Sequence, residues 1–334
     1  MRGDARAAQI GAFLAGAGWA GAARRKLAGD ASFRRYERLS EGPRTAVLMD
    51  APPPENVRPF LAVARLLGAA GFAVPAVLAA DEEAGLLLLE DFGDDTYTRL
   101  LAGGESESRL YELAVDLLIE LHRRLPAERI RDLPAFDEAR ALEGLQRFID
   151  WYWPAVQGAP APAAAAEAFS AAWRAVLPLW DRIPTVLVLY DYHVDNLMML
   201  QGRTGLGRVG LLDFQDACRG PASFDLVSLI DDARRDVRRE LGTRLVERYL
   251  AAFAHLDRAA FAAAYAVAGA QRDARILGNF ARLWKRDRKP GYLPLIPRVW
   301  RQLEAQLAHP ALAPVAGWFD RHLPPERRRV PEAA

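Results

Sequence analysis

A polar loop followed by two short apolar segments constrains this chain more than any other feature. The loop is Tyr190-Asp191-Tyr192-His193-Val194-Asp195-Asn196. Apolar residues occupy 197–200 and 209–212 on either side of a turn rich in glycine, and Asp213-Phe214-Gln215 follows the second segment. Two apolar runs around such a turn are typical of a β-hairpin. The pattern therefore predicts that Asn196 and Asp213 lie near each other.

The polar side chains of this segment suit the transfer of a phosphoryl group. In such enzymes one Asp accepts the proton of the substrate hydroxyl, while an Asn of the same loop and the Asp of a later D-F-G turn bind metal. Asp191, Asn196 and Asp213 follow that order. Mg²⁺ prefers oxygen ligands that it shares with nucleotide phosphates, so we expect Mg²⁺ as cofactor and ATP as co-substrate. Taken singly, Asp191 and Asp195 are better explained as turn caps and Asp213 as the end of a strand.

Composition excludes several classes of protein. Of 334 residues, 51% are hydrophobic and 26% charged, which is typical of a soluble globular protein with two domains. A net charge of +1 argues against a dedicated nucleic-acid binder. The single cysteine, Cys218, excludes an intramolecular disulfide framework. No segment has the apolar length of a membrane span, and we expect a cytoplasmic protein without nucleic-acid or membrane partners.

Residues 1–92 are predicted to form a small nucleotide-binding lobe of mostly antiparallel sheet plus one helix. Alternating and helical spacing of apolar residues predicts strands at 33–39, 45–49, 74–79 and 86–89 and a helix at 56–70. The small-residue loop before the first strand is where backbone amides would cover nucleotide phosphates. Its candidate nucleotide-binding residues are Gly29, Ser32, Phe33 and Arg34.

The chain leaves the last strand of this lobe through Glu90-Asp91-Phe92-Gly93. A hinge between lobes should fall here, and the backbone from Glu90 to Phe92 is the candidate partner of adenine. A simple turn at the end of a strand explains the same residues equally well.

Residues 93–334 are predicted to form a larger, mainly helical lobe for catalysis and substrate binding, which makes the fold class α+β. Apolar periodicity predicts helices at 109–122, 140–153, 163–179, 235–256, 257–287 and 294–307. Asp225 is expected to cap a further helix, 225–232, and to brace the catalytic loop. His122 is predicted to be a packed histidine, because no second ligand occurs at metal-binding spacing on its helix face.

These motifs resemble the aminoglycoside phosphotransferase and choline kinase-like family over nearly the whole chain. Within it, residues 27–36, 48–53 and 191–198 are similar to the bacterial anomeric sugar kinases. Further similar segments are Asp213-Phe214-Gln215-Asp216-Ala217, Gln271-Arg272, 278–283 and 286–289. The resemblance implies a two-lobed protein-kinase-like fold. It also implies ATP-dependent phosphorylation of the anomeric hydroxyl of N-acetylmuramate and N-acetylglucosamine, for peptidoglycan recycling.

Two residues depart from the kinase pattern. Leu189 stands where the His of H-x-D is usual, and Met49 stands where a lysine grips the α- and β-phosphates. A neutral Met cannot supply that charge, so we expect Arg34, Arg35 or Lys26 to approach the phosphates instead. The string Met49-Asp50-Ala51-Pro52 is itself similar to the anomeric-kinase branch, which makes Met49 a feature of that branch.

Candidates for the sugar site follow from the charge and shape of the substrate. An acidic sugar needs a cation near its lactyl carboxylate, and Arg286 and Lys289 are candidates. Trp151 and Tyr192 are candidates for stacking on the sugar, although aromatic residues at such spacing more often belong to a core.

Two other functions remain open from the residues alone. One is a kinase for an aminoglycoside or small amino alcohol, whose acidic pocket would draw on Asp195, Asp216 and Asp232. The other is a nucleotide-binding pseudokinase that acts as a regulator, suggested by Met49 and Leu189. The complete set of Asp191, Asn196 and Asp213 argues against it.

Overall fold

The strands of the largest sheet lie within residues 23–90 and most of the helices follow them, as the α+β class predicts. The computed structural model describes residues 2–27 and 34–332. Its strands are β1 (Ala23–Lys26), β2 (Arg35–Glu41), β3 (Arg44–Asp50), β4 (Val77–Asp81), β5 (Leu86–Glu90), β6 (Thr185–Val188), β7 (Leu197–Met199), β8 (Val209–Leu211) and β9 (Cys218–Pro221). Its helices are α1 (Arg2–Gly16), α2 (Arg58–Ala69), α3 (Tyr97–Ala102), α4 (Glu107–Arg124), α5 (Ala127–Ile130), α6 (Glu138–Arg147), α7 (Trp153–Gln157), α8 (Ala163–Val176), α9 (Phe224–Ile230), α10 (Arg239–Ala252), α11 (Arg258–Lys285), α12 (Ile296–Leu307) and α13 (Ala313–His322).

The chain divides into two compact units that differ from the two expected lobes. The first unit contains the residues up to Ser106 and also Val194–Asp216, and the second contains Glu107–His193 and the residues from Ala217 onward. The hairpin that carries Asn196 and Asp213 therefore belongs to the unit that holds the N-terminal sheet. The functional division into residues 1–92 and 93–334 stays a prediction.

Within the described part of the first unit, five strands form an antiparallel sheet in the order β1-β2-β3-β5-β4. The predicted strands at 33–39, 45–49, 74–79 and 86–89 correspond to β2, β3, β4 and β5, with ends shifted by a few residues. The edge strand β1 was not predicted. Its residues, Ala23-Arg24-Arg25-Lys26, are all exposed and show no alternation of apolar and polar side chains, so the sequence carries no strand signal there.

Helix α1 covers one face of this sheet. Ile10 and Leu14, with Trp19, pack against Leu39, Leu48, Leu86 and Leu88. Arg6 fastens the helix, since its Nε lies 3.0 Å from Asp50 Oδ1 and its Nη1 donates to the Ala84 carbonyl at 2.7 Å. Successive side chains of a strand point to opposite faces, so Met49 faces away from α1, where it is also buried.

The second unit is organised around α11, a helix of 28 residues that is buried along most of its length. It packs against α6, α9, α12 and the π-helical turn Phe148–Tyr152. A Cβ added at Gly278 would lie 2.4 Å from the carbonyl carbon of Arg147 and 2.5 Å from the nitrogen of Phe148. The helix therefore touches the turn backbone to backbone. In the described ranges, no helix combines the length and the apolar character needed to cross a bilayer.

The π-helical turn interrupts what the sequence predicts as one helix from 140 to 153. The chain is α-helical to Arg147, widens through Phe148–Tyr152 and resumes as α7. Such a turn admits a residue beyond the regular period, which apolar periodicity cannot detect. The Tyr152 hydroxyl accepts from Trp300 Nε1 and donates to the Arg329 carbonyl, both at 2.7 Å. The turn is thereby tied to α12 and to the C-terminal segment.

His122 is a packed histidine, as predicted. It is buried on α4, with Nδ1 2.7 Å from the Tyr249 hydroxyl and Nε2 3.1 Å from the Leu187 carbonyl of β6. Burial lowers its pKa from 6.5 to about 3. The neutral ring thus joins α4, α10 and β6 in the core of the second unit.

We predict that Gly278→Ala destabilises the protein. The new methyl group would meet backbone atoms, which cannot move aside as a side chain can, and overpacking of this kind costs about 1–3 kcal/mol. Chemical denaturation measures the loss in the free energy of unfolding. The matched control is Gly317→Ala on α13, where a Cβ meets nothing within 4 Å and stability should be unchanged or rise by up to about 1 kcal/mol. Equal stability of the two variants would contradict the close approach at Gly278.

Candidate active site

The residues just before Asp191 are held by the buried carboxylate of Asp225. The Leu189 N–H donates to Asp225 Oδ2 at 2.5 Å, and the Tyr190 N–H donates to Oδ1 at 3.0 Å. Tyr190 has φ +77°, a left-handed conformation that a bulky residue rarely adopts. The predicted bracing of the loop by Asp225 is therefore confirmed.

The predicted capping role of Asp225 is wrong. Asp225 lies inside α9, which begins at Phe224, and Ser223 holds the cap position without a side-chain capping bond. Both carboxylate oxygens are instead used by the loop. Burial raises the pKa of Asp225 to about 7, and the negative charge of Asp191 acts in the same direction, while the two loop N–H groups lower it.

The ring of Tyr190 is enclosed by aromatic and cationic side chains. It stacks on Phe224 with centroids 5.6 Å apart and planes 10° apart, and it meets Phe136 edge-on. The guanidinium carbons of Arg140 and Arg275 lie 5.0 and 4.3 Å from the ring centroid. The residue that precedes Asp191 is therefore fixed through both its backbone and its side chain.

Tyr192 follows Asp191 and points into the core of the second unit. It is 2% exposed, and its hydroxyl donates to the Ala114 carbonyl of α4 at 2.7 Å. Tyr192 is therefore a core residue, which was the alternative to the predicted stacking of its ring on the sugar. Asp191 itself, between two anchored tyrosines, is half-buried.

The predicted hairpin is confirmed, and it brings Asn196 next to Asp213. Leu197 on β7 pairs with Leu211 on β8, and the Leu212 N–H donates to the Asn196 carbonyl at 3.0 Å. The backbone therefore places an amide residue and an acidic residue at the open end of the hairpin. Oxygen ligands of this type suit Mg²⁺, which usually takes one or two protein ligands and completes its shell with phosphates and water.

Asp213 lies beside a cation from the start of β2. Arg34 Nη1 is 3.9 Å from Asp213 Oδ1, and Arg34 Nε is 3.0 Å from Glu55 Oε2. The Arg34 side chain is 13% exposed, whereas Arg35 and Lys26, the other two candidates for the missing lysine, are exposed on their strands. Glu55 was not anticipated, because an isolated acidic residue in a proline-containing loop carries no sequence signal.

The turn after Asp213 is fixed by stacking and by one hydrogen bond. Phe214 is buried and stacks on Phe60 of α2, with centroids 4.8 Å apart. Gln215 Nε2 donates to Asp213 Oδ1 at 2.8 Å. Asp213 adopts φ +54°, so this turn, like that at Tyr190, includes a left-handed residue that its neighbours must stabilise.

The side chains at the exit of β5 are engaged by the hairpin. Arg203 Nη2 lies 2.5 Å from Glu90 Oε1, and its guanidinium carbon lies 5.3 Å from the centroid of the Phe92 ring. A Cβ at Gly210 would lie 2.8 Å from that ring, so Phe92 needs a glycine on β8. These contacts occupy the side chains of Glu90 and Phe92. The Glu90 N–H donates to the Ala76 carbonyl at 2.8 Å, so the predicted pairing with adenine falls to the backbone that follows it.

Three of the candidate nucleotide-binding residues, Gly29, Ser32 and Phe33, lie outside the described residues. Trp151 is half-buried in the π-helical turn of the second unit. Arg286 is exposed, and its Nε and Nη2 lie 2.7 and 3.0 Å from the two carboxylate oxygens of Asp287. Lys289, half-buried, donates its backbone N–H to the Leu283 carbonyl at 3.0 Å.

Solved structures of small-molecule kinases share this fold. The choline kinase LicA of Streptococcus pneumoniae aligns with a TM-score of 0.61 at 12% identity, over 86% of this chain and 94% of its own. An ADP-bound aminoglycoside phosphotransferase, APH(2'')-Ib, aligns with a TM-score of 0.55 at 17% identity, over 85% and 93%. At such identities the likeness is one of fold, and it confirms the predicted protein-kinase-like architecture.

Sequence similarity is closer to another group of proteins. An N-acetylmuramate/N-acetylglucosamine kinase of Caulobacter vibrioides is 39% identical over 97% of this chain and 98% of its own length. A protein of the same name from Pseudomonas aeruginosa is 39% identical over 85% and 84%. Residues 23–264 match the phosphotransferase enzyme family. The chain therefore belongs to the phosphotransferase enzyme family and is a small-molecule kinase that uses ATP.

Proposed function

We propose that this protein transfers the γ-phosphoryl group of ATP to the anomeric hydroxyl of N-acetylmuramate or N-acetylglucosamine and releases the sugar 1-phosphate. The observation that carries the proposal is the 39% identity, over 97% of the chain, to a kinase named for both sugars. The product would return cell-wall amino sugars to peptidoglycan precursors. Because the reaction consumes ATP, we place it in the cytoplasm.

Asp191 is the proposed base for the sugar hydroxyl. Phosphoryl transfer depends mainly on positioning and on stabilisation of charge. The position of the base therefore matters more than any change in its basicity. The bonds from Asp225 to the two preceding residues supply that restraint. Asp191 would orient the hydroxyl and take its proton as the oxygen attacks.

Asn196 and Asp213 are the proposed protein ligands of Mg²⁺. The hairpin bond between Leu212 and Asn196 supports this assignment, because it puts the two oxygen donors on neighbouring strand ends. When bound with ATP, Mg²⁺ neutralises charge on the phosphate oxygens. Asp213 is preset for binding by its bond from Gln215 and by the stacked Phe214.

Arg34 is the proposed substitute for the lysine that Met49 lacks. In kinases that lysine contacts the phosphates and is paired with a glutamate. Arg34 is likewise paired with a glutamate, since Glu55 Oε2 lies 3.0 Å from its Nε, and its Nη1 lies 3.9 Å from Asp213, a proposed metal ligand. Gly29, Ser32 and Phe33 remain candidates for the phosphate-covering loop, and the backbone from Glu90 to Phe92 remains the candidate for adenine.

The alternative functions have less support in the described residues. Asp232 is fully buried and accepts a bond from the Arg234 N–H at 2.8 Å, and Asp195 accepts one from the Thr98 hydroxyl. These carboxylates serve the fold, which weakens the case for an acidic pocket that would bind an amino alcohol. A cation at Arg34 could stand in for the lysine that Met49 lacks, which weakens the case for a pseudokinase.

We predict that Asp191→Asn abolishes sugar phosphorylation. Loss of a general base lowers turnover by roughly 10²- to 10⁴-fold. ³¹P NMR with Mg-ATP and either sugar would show an anomeric phosphate for the natural protein and almost none for the variant. Asp195→Asn, in the same loop, is the control for local disturbance and should retain most activity. If the natural protein leaves ATP intact with both sugars, the proposed function is wrong. If the natural protein is active and Asp191→Asn is equally active, the role assigned to Asp191 is wrong.

We also predict that Arg34→Met raises the KM for ATP and lowers kcat, with a combined loss in kcat/KM of about 100-fold, because one cation is removed from the transferring phosphates. Steady-state rates at varied ATP and saturating sugar measure the effect. Arg35→Met, the exposed neighbour, should change kcat/KM little. A greater loss in Arg35→Met than in Arg34→Met would reverse the assignment.

A further inference from the structure

Arg275 is a buried cation that forms no hydrogen bond and no close ion pair with any carboxylate of the described residues. It lies on α11, is 6% exposed, and has a buried Nε with no acceptor. Within residues 2–27 and 34–332, no hydrogen bond or ion pair engages its guanidinium group. A buried charge is normally paired, since removal from water otherwise costs free energy. Arg275 is therefore a candidate to bind an anionic group of a ligand.

Several other arginines of the second unit have a carboxylate or a carbonyl oxygen as partner. Arg298 contacts both oxygens of Asp236, Arg248 contacts both oxygens of Asp116, and the exposed Arg286 contacts both oxygens of Asp287. The buried Arg272 donates to the Asp231 carbonyl at 2.7 Å and lies 3.8 Å from Asp273 Oδ1. Arg282, half-buried on the same helix, likewise has a buried Nε without an acceptor, so what distinguishes Arg275 is the lack of a partner at only 6% exposure.

The groups around Arg275 position it without neutralising it. Its aliphatic stem lies against α6, where a Cβ at Gly144 would be 3.1 Å from Arg275 Cδ. Its guanidinium lies on the Tyr190 ring, which attracts a cation but carries no net charge. Asp273 is fully buried, and burial raises the pKa of its carboxyl well above the usual value, while the charges of Arg272 and Arg275 act in the opposite direction.

The position of Arg275 suits one part of the proposed substrate. Tyr190, on which it lies, directly precedes Asp191, the proposed base. A sugar whose anomeric hydroxyl faces Asp191 carries its other substituents towards the surrounding side chains. N-acetylmuramate bears a lactyl ether with a carboxylate on the same ring, whereas N-acetylglucosamine has a hydroxyl there. An arginine presents a planar fork of donors that matches a carboxylate.

We propose that Arg275 binds the lactyl carboxylate of N-acetylmuramate and thereby sets the preference for the acidic over the neutral sugar. This inference rests on the proposed function, since it names one contact of the same sugar site. It takes the place of the sequence-based candidate Arg286, which is exposed and already paired with Asp287.

The test compares three sugars with the full-length protein. Values of kcat/KM are measured for N-acetylmuramate, its neutral methyl ester and N-acetylglucosamine. Arg275→Met should lower the value for N-acetylmuramate by roughly 10- to 100-fold, the worth of a hydrogen bond to a charged group, and leave the other two nearly unchanged. In the natural protein the ester should be the poorer of the two muramate substrates. Arg275→Lys should recover part of the loss.

Controls separate this contact from a general effect on the fold. Arg248→Gln breaks an ion pair elsewhere in the second unit and should alter no sugar selectively. Arg275→Met removes an unpaired buried charge, so its melting temperature should not fall, and Arg275→Lys keeps the charge if the first variant fails to fold.

Three outcomes would overturn the proposal, and they are distinguishable. An equal loss for all three sugars would mean that Arg275 supports Tyr190 and not the substrate. A selective loss of N-acetylmuramate activity in Arg286→Gln, with Arg275→Met unaffected, would move the carboxylate site to Arg286. A natural protein that phosphorylates neither sugar would remove the proposed function together with this inference, and that result is seen before any variant is made.

Discussion

The pair of hydrogen bonds from Leu189 and Tyr190 to Asp225 is the constraint on which the chain conformation before Asp191 depends. A left-handed tyrosine costs on the order of 1–3 kcal/mol, and each bond to a carboxylate contributes about 1.5–3 kcal/mol, so the two bonds can offset the strain. The stacked Phe224, adjacent to Asp225 on α9, holds the ring of the same tyrosine. One short buried helix thus fixes both the backbone and the side chain of the residue that precedes Asp191.

Helix α11 gives the second unit its rigidity and contributes to the surroundings of the same loop. Near its C-terminal end, Gly278 allows backbone contact with the π-helical turn. One turn earlier, Arg275 reaches the Tyr190 ring. A helix packed so closely cannot rotate without breaking several contacts, which fixes the position of Arg275 relative to Tyr190.

Some elements were predictable because their signals are local. The β7–β8 hairpin is marked by apolar runs around glycines, and β3 and β5 by adjacent apolar side chains between turns. Other elements were missed because their causes are not local. Strand β1 is formed by pairing with β2 and not by its own composition, and the π-helical turn follows from packing against α11. Asp225 was misassigned as a cap because a carboxylate near a helix start suits either role until its partners are known.

The sequence by itself determined the fold class, the family and the order of the chemical groups Asp191, Asn196 and Asp213, because these depend on residue type, spacing and local periodicity. Only the tertiary structure decided which basic side chains are buried and which are paired with a carboxylate. Arg34, Arg35 and Lys26 are equivalent in sequence, yet only Arg34 lies beside both Glu55 and Asp213. Arg275 and Arg286 are both arginines in a helical segment, yet one is buried without a partner and the other is exposed and paired. Burial and pairing arise from residues far apart in the chain, which is why no local pattern records them.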